Sequence, residues 1–310
     1  MNTKLFDIPV LLITFNRPET TCHVFEQIRR IKPKTLYVFS DAARPERPGE
    51  EDLVNTCRSL FDKSQINWEC DFQTWYPDTN LGCAVGVSSA ISWAFENSEK
   101  LIILEDDCLP HPTFFNFCKS MLDKYEDNER VMHVSGTRWN EEYKVNDGDH
   151  FFSLIGHIWG WATWKRAWKK YDYHMEKLSG LKDERKLQML FNDRKIAKYW
   201  HDRFDELDIQ SRKSTWDYQW QYSLFLNDGL ASVPNVNLIS NIGLEGVHSD
   251  GKQTEHHFCK TDSWNTLPLP VEVSINSGYE KYHANTRFLK KPPMRERIVN
   301  RIKMAFGQHA

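Results

Sequence analysis

The sequence predicts an α/β fold, with a mostly parallel central sheet flanked by helices and a helical lobe after it. Three observations predict it. From residue 9 to about 136, short β-rich apolar runs alternate with helical patterns, the rhythm of strands joined by crossover helices. The runs PVLLITF and LIIL are continuously apolar, as strands covered on both faces are. Beyond Gly136 the rhythm fades into Trp-rich and Gly-containing segments and then into helical patterns.

Taken in order, the first part places strands at 9–15, 35–40, 66–74, 100–104 and 131–135, with helices near 18–31, 50–62, 83–97 and 112–126. The second part places helices near 162–170, 183–191, 194–208 and 216–228, and short strands near 230–240. Trp161, Trp164 and Trp168 recur at helical spacing, which predicts a core stripe for at least two of them. No Pro- or Ser-rich linker, internal repeat or low-complexity segment divides the chain. Residues 1–286 therefore read as one domain with halves 1–136 and 137–286. The tail 287–310 holds seven Lys and Arg against Glu296 alone, a net charge of +6, with Met294, Ile298, Ile302 and Phe306 on every fourth position. That pattern predicts a basic amphipathic segment able to lie on an anionic membrane surface; the structural alternative is a terminal helix packed on the body.

Composition narrows the function classes. Of 310 residues, 40% are hydrophobic and 27% charged, enough apolar material for a core, which excludes a disordered or fibrous chain. Forty Lys plus Arg against 43 Asp plus Glu leave a net charge of −3 and no basic excess for a nucleic-acid partner. No run approaches the ~20 apolar residues of a membrane span, and Asp7 and Pro9 interrupt the N-terminal apolar stretch, so a cytoplasmic location is expected. Seven cysteines form no C-x-x-C pair and are odd in number, which predicts reduced thiols.

The strongest chemical signal is Glu105-Asp106-Asp107, directly after the strand KLIIL. In open α/β sheets ligands bind at the carboxyl ends of strands. Clustered carboxylates repel one another unless a cation joins them, and Mg²⁺ or Mn²⁺ shared with a diphosphate answers that need. An acidic surface turn is the structural alternative. Arg17 follows the first strand and Asp41 the second, while Asn80-Leu81-Gly82 precedes a helix and reads as its starting turn.

The segments PVLLITFNRPET, YVFSDAARP, LIILEDDCLPHPTFFNFCKSML, GHIWGWATW and STWDYQW resemble, in that order and over roughly residues 8–250, the GT-A glycosyltransferases related to N-acetylglucosaminyltransferase I. The resemblance implies a Rossmann-like fold whose second half faces the acceptor, a nucleotide-sugar donor, Mn²⁺, and inverting transfer. It makes Asp107 the direct metal ligand, sets Glu105 and Asp106 against the donor sugar and ribose, Arg17 against the diphosphate and Asp41 against the uracil edge. An inverting transfer needs a carboxylate base across the site, and Asp217, in a W-D context at a helix start, is the candidate. An acid in a helix's first turn is otherwise explained by the macrodipole. Trp216 and Trp220 offer flat faces for sugars, and Trp161 is the donor-side candidate within GHIWGWATW. His248 is the candidate late metal or diphosphate ligand, with His256 or His257 as substitutes.

The expected activity is metal-dependent transfer from a nucleotide-diphosphate sugar, UDP-linked by the resemblance, to a glycan or lipid-linked glycan in bacterial surface-polysaccharide synthesis, with the protein peripheral on the inner membrane face. A sugar-nucleotide pyrophosphorylase competes, but Thr14-Phe15-Asn16-Arg17-Pro18 lacks the Gly-rich loop that would hold a triphosphate. A non-catalytic carbohydrate-binding protein, using the 12 tryptophans as platforms, would need neither the acidic triplet nor Asp217.

Overall fold

The computed structural model describes residues 5–62, 64–139, 142–145, 148–183, 185–209, 215–246, 249–250, 257–267 and 272–290. Apolar β1 (Val10–Thr14) is buried along its whole length. Pro18 opens α1 (Pro18–Ile31) at a position whose N–H has no helical partner anyway. Val24, Phe25 and Ile28 form its buried stripe, worth roughly 1.5–3 kcal/mol per side chain. The alternation continues through β2 (Thr35–Ser40), α2 (Glu50–Ser59), β3 (Asp71–Trp75), α3 (Gly82–Ala94) and β4 (Lys100–Glu105). Short β5 (Cys108–Pro110), then α4 (Phe114–Lys124) and β6 (Val131–Ser135), close the first half. β3 starts five residues later than the apolar pattern suggests. The indole of Trp68 donates to the Pro33 carbonyl at 2.8 Å, which ties the preceding residues into a loop.

The second half is less helical than its pattern suggests. It supplies β7 (His150–Ser153), β8 (Trp161–Trp164), a single turn α5 (Lys165–Trp168), then α6 (Leu178–Asp183), α7 (Lys186–Phe191), α8 (Arg194–Ile209) and α9 (Asp217–Leu226). β9 (Leu230–Pro234), β10 (Ile239–Asn241) and α10 (Ser277–Thr286) follow. The helix expected at 162–170 is thus a strand followed by one turn. Trp161 and Trp164 point to opposite faces of the sheet and enter different apolar clusters, so their three-residue spacing was no helical stripe.

All these strands but β5 and β10 form one sheet in the order β3-β2-β1-β4-β8-β6-β9-β7. β1 to β4 pair in parallel; β8 runs antiparallel to both β4 and β6, and β7 antiparallel to β9. Strand order reverses between β1 and β4, the switch point where a crevice opens beyond the carboxyl ends. The antiparallel course of β8 brings the residues before Trp161 to that same edge.

Among the described residues no helix is long and apolar enough to cross a membrane. Residues 291–310, which carry the apolar stripe of the expected tail, lie outside the described residues. Its first residues pack on the body: Arg287 lies over the Trp139 ring at 4.5 Å, and Phe288 stacks on Tyr199 at 5.1 Å.

Candidate active site

A cleft of about 710 Å³ opens at the switch point, lined by the ends of β1, β2 and β4, the start of α3, the approach to β8 and the start of α9. The register pairs Ile13 with Glu105, so the residues following β1 lie beside the acidic triplet. Asp106 turns inward: it is buried, accepts the Phe15 N–H at 3.2 Å and pairs with Arg17 Nη2. Asp107 accepts Arg17 Nη1 at 2.7 Å on Oδ2 and the Cys108 thiol at 3.4 Å on Oδ1. The Glu105 side chain has no hydrogen-bond partner among the described residues, its backbone being held in the ladder with β1. Burial, and next the charge of Asp107, push its carboxyl up to about 8; Arg17 opposes this, while Asp106 and Asp217 add to it. Burial likewise raises the Asp106 carboxyl, against the pull of Arg17.

Three carboxyl groups thus crowd one guanidinium. Yet among the described residues no three His, Cys, Asp or Glu side chains are grouped so as to hold a metal ion. The donor set fits a hard cation that takes one or two carboxylate oxygens and completes its shell with phosphate and water. It does not build a cage from protein alone.

Gly243 covers the triplet. A Cβ on it would meet Asp107 Oδ2 at 2.5 Å and Arg17 Nη1 at 2.7 Å, so only glycine fits. Nothing in the sequence around Gly243 marks this approach, because it depends on β10 pairing with β5 next to Asp107.

Asp41 lines the cleft, but its oxygens are engaged. Oδ1 accepts the Ala42 and Leu81 N–H groups at 2.8 and 2.9 Å; Oδ2 accepts Gly82 N–H at 2.9 Å and Asn80 Nδ2 at 3.2 Å. Its carboxylate therefore fastens the start of α3 to the end of β2. The same bonds take up the turn's N–H groups, so Asn80-Leu81-Gly82 acts as a helix start, as its sequence suggests. Sequence reasoning missed Arg44, whose Nε reaches Glu50 Oε2 at 3.0 Å and whose guanidinium lies 5.4 Å from the Phe15 ring centroid. The Arg44 hydrogen bond holds the Glu50 carboxyl below its usual range. Asn16 joins them, donating to Glu50 at 2.9 Å.

Asp217 stands at the first position of α9 in the opposite wall, its Oδ1 accepting from the Thr215 hydroxyl. Its charge reaches Glu105 across the cleft. Trp161 is a correction. It is 1% exposed, does not line the cleft, and packs among His133, Trp168, Trp216 and Trp220. Trp220, a candidate sugar platform by sequence, is fully buried with its indole donating to His133 Nδ1 at 3.1 Å. Trp159 and Tyr218 present aromatic surface to the cleft instead. His248 and His256 lie outside the described residues; His257 reaches the cleft wall, its backbone bridged to Asn241.

The chain thus folds as a mixed α/β protein with a carboxylate-rich cleft at its switch point. No family model and no curated protein matches the sequence. Among solved structures it is similar to the 4-diphosphocytidyl-2C-methyl-D-erythritol synthase of Anaerococcus prevotii DSM 20548, at 10% identity over 75% of this chain and 89% of that one, with a TM-score of 0.35. It is also similar to a UDP-glucose pyrophosphorylase complexed with UDP-glucose, at 12% identity over 43% of this chain and 64% of that one, with a TM-score of 0.25. Neither carries a glycosyltransferase name, and at such TM-scores neither bears on what this chain does.

Proposed function

We propose that the chain is a glycosyltransferase that moves a sugar from a nucleoside-diphosphate donor to a hydroxyl of a glycan or lipid-linked glycan, with inversion. The observation that carries the reading is one cleft holding the Glu105–Asp107 triplet on one wall and Asp217 on the other. Asp217 takes the proton of the attacking hydroxyl as the new glycosidic bond forms and the bond from the anomeric carbon to the diphosphate oxygen breaks. It stands in the first turn of α9, at the helix's positive end. Arg17 and Arg44 offer guanidinium forks to phosphate, and Trp159 and Tyr218 offer faces on which sugar rings stack.

Asp107, with Glu105 beside it, would hold Mn²⁺ or Mg²⁺, which supplies Lewis-acid neutralisation of the departing diphosphate. Asp41 supports the base pocket by holding the start of α3. A UDP-linked donor, a bacterial polysaccharide setting, a cytoplasmic location and membrane contact through 287–310 belong to the same reading.

Calorimetry with UDP and Mn²⁺ tests the donor side: binding is expected in the wild type and lost in Asp107→Asn. Asp217→Asn is expected to keep donor binding and lose transfer to an acceptor across a panel of nucleotide sugars. Formation of nucleoside triphosphate from a nucleotide sugar and pyrophosphate would replace this reading with a pyrophosphorylase.

A further inference from the structure

We infer that Arg17 is the resident counter-ion of the acidic triplet, and that a divalent cation gains Asp107 only as a nucleoside diphosphate draws Arg17 off it, so that metal and nucleotide load together. The inference rests on the function proposed above and deepens it.

Arg17 bridges two carboxylates at once, Nη1 on Asp107 and Nη2 on Asp106. The Asp107 oxygen it holds is also the one closed over by Gly243, where even a methyl group would approach to 2.5 Å. The other oxygen accepts the Cys108 thiol. A cation cannot share Oδ2 with the guanidinium, since two positive charges would then stand within contact distance on one oxygen. One must leave. The backbone of Arg17 is fixed: its carbonyl accepts the Thr21 N–H at 3.0 Å and the Thr21 hydroxyl at 2.6 Å in the first turn of α1. Its side chain is the part that moves, and a diphosphate offers the same fork a second bidentate partner. Glu105 lines the cleft beside Asp107, so a second carboxyl group stands at the site once the guanidinium has turned away.

The test is Mn²⁺ binding followed by the electron paramagnetic resonance of the free ion, with and without UDP, in the wild type, Arg17→Gln and Arg17→Lys. Wild type is expected to bind Mn²⁺ alone weakly and with UDP strongly. Arg17→Gln is expected to bind Mn²⁺ alone roughly tenfold or more tighter than wild type, the weight of about 1.4 kcal/mol, and to show less coupling between metal and UDP. Arg17→Lys keeps the charge but cannot bridge both carboxylates, and should fall between them; it serves if the Gln variant unfolds. Unchanged or weaker Mn²⁺ binding in both folded variants, with UDP·Mn²⁺ still bound by wild type, overturns the inference and leaves the proposed function standing. Absence of UDP·Mn²⁺ binding in the wild type overturns both.

Discussion

Gly243→Ala adds one methyl group where the chain closes over Asp107, and should damage the cleft there. The new Cβ would stand 2.5 Å from Asp107 Oδ2, 2.7 Å from Asp107 Cβ and 2.7 Å from Arg17 Nη1. Arg17 ends a long flexible chain and can yield, but Asp107 Cβ is one bond from the backbone and cannot. Nor can the two segments separate easily. Ile242 N–H donates to the Asp107 carbonyl at 2.9 Å, Gly243 N–H to Asn241 Oδ1 at 3.0 Å, and Asn241 is paired with Cys108. Overpacking of this kind costs about 1–3 kcal/mol. Because the displaced carboxylate is the proposed ligand, the same energy should appear as a roughly 5- to 150-fold loss of UDP·Mn²⁺ affinity by calorimetry. Gly180→Ala is the control: nothing lies within 4 Å of its Cβ, and its place in α6 makes alanine neutral or stabilising by up to about 1 kcal/mol. Equal UDP·Mn²⁺ affinity in Gly243→Ala and wild type would refute the placement of Asp107 at the ligand.

Asp41→Ala should lower stability by about 1–3 kcal/mol in a urea titration, since it strips the Leu81 and Gly82 N–H groups of their acceptor; a change of nucleotide preference with no loss of stability would instead make Asp41 a base reader. Trp161→Ala should cost about 3–5 kcal/mol through the cavity it leaves, with donor KM nearly unchanged in the fraction that stays folded; a raised KM at full stability would return Trp161 to the donor site. Glu280, buried and accepting the Leu154 N–H at 2.9 Å, has its carboxyl pushed up to about 7 by burial. The folded chain then keeps a proton that the unfolded chain releases near 4.5, so the contribution of Glu280 is full below that pH, fades as pH rises to 7 and levels off above it. The loss is roughly 3 kcal/mol, and Glu280→Gln should remove it; parallel stability curves for the two proteins between pH 5 and 8 would contradict the buried neutral acid.

The first half was legible because its strands are apolar throughout and its helices carry punctuation, as Pro18 does for α1. The acidic triplet was legible for the same reason, since a buried strand that ends in three carboxylates announces its carboxyl edge. The second half was not, because β7 and β8 have only four residues each and their aromatic content fits a helical stripe equally well. The helical spacing rightly made Trp161 a core residue, and its place in the GHIWGWATW segment wrongly made it a donor contact. Asp41 was correctly placed at a strand end, but which donors fill its oxygens depends on Leu81 and Gly82, forty residues away. Arg44 and Gly243 carry no local signal, since the first matters through Glu50 and Phe15 and the second through the approach of β10 to β5.

One register decides which tryptophan faces the cleft. β8 pairs Trp161 with Ile103 and runs against β4, so its entrance, not its exit, meets the carboxyl edge where Glu105 ends its strand. Side chains alternate along a strand, and a slip of one residue would carry Trp161 into the opposite core and displace Trp159 from the wall. Two glycines hold the register. Gly136 N–H donates to the Gly160 carbonyl at 2.7 Å, and a Cβ on Gly136 would stand 2.5 Å from that oxygen. Gly160 has φ +57°, and a Cβ there would stand 2.3 Å from Ile239 Cδ1. The buried stack around Trp161 and the aromatic wall at Trp159 are therefore fixed by the same two contacts. Loosening them should expose an indole and empty the cleft wall in one step.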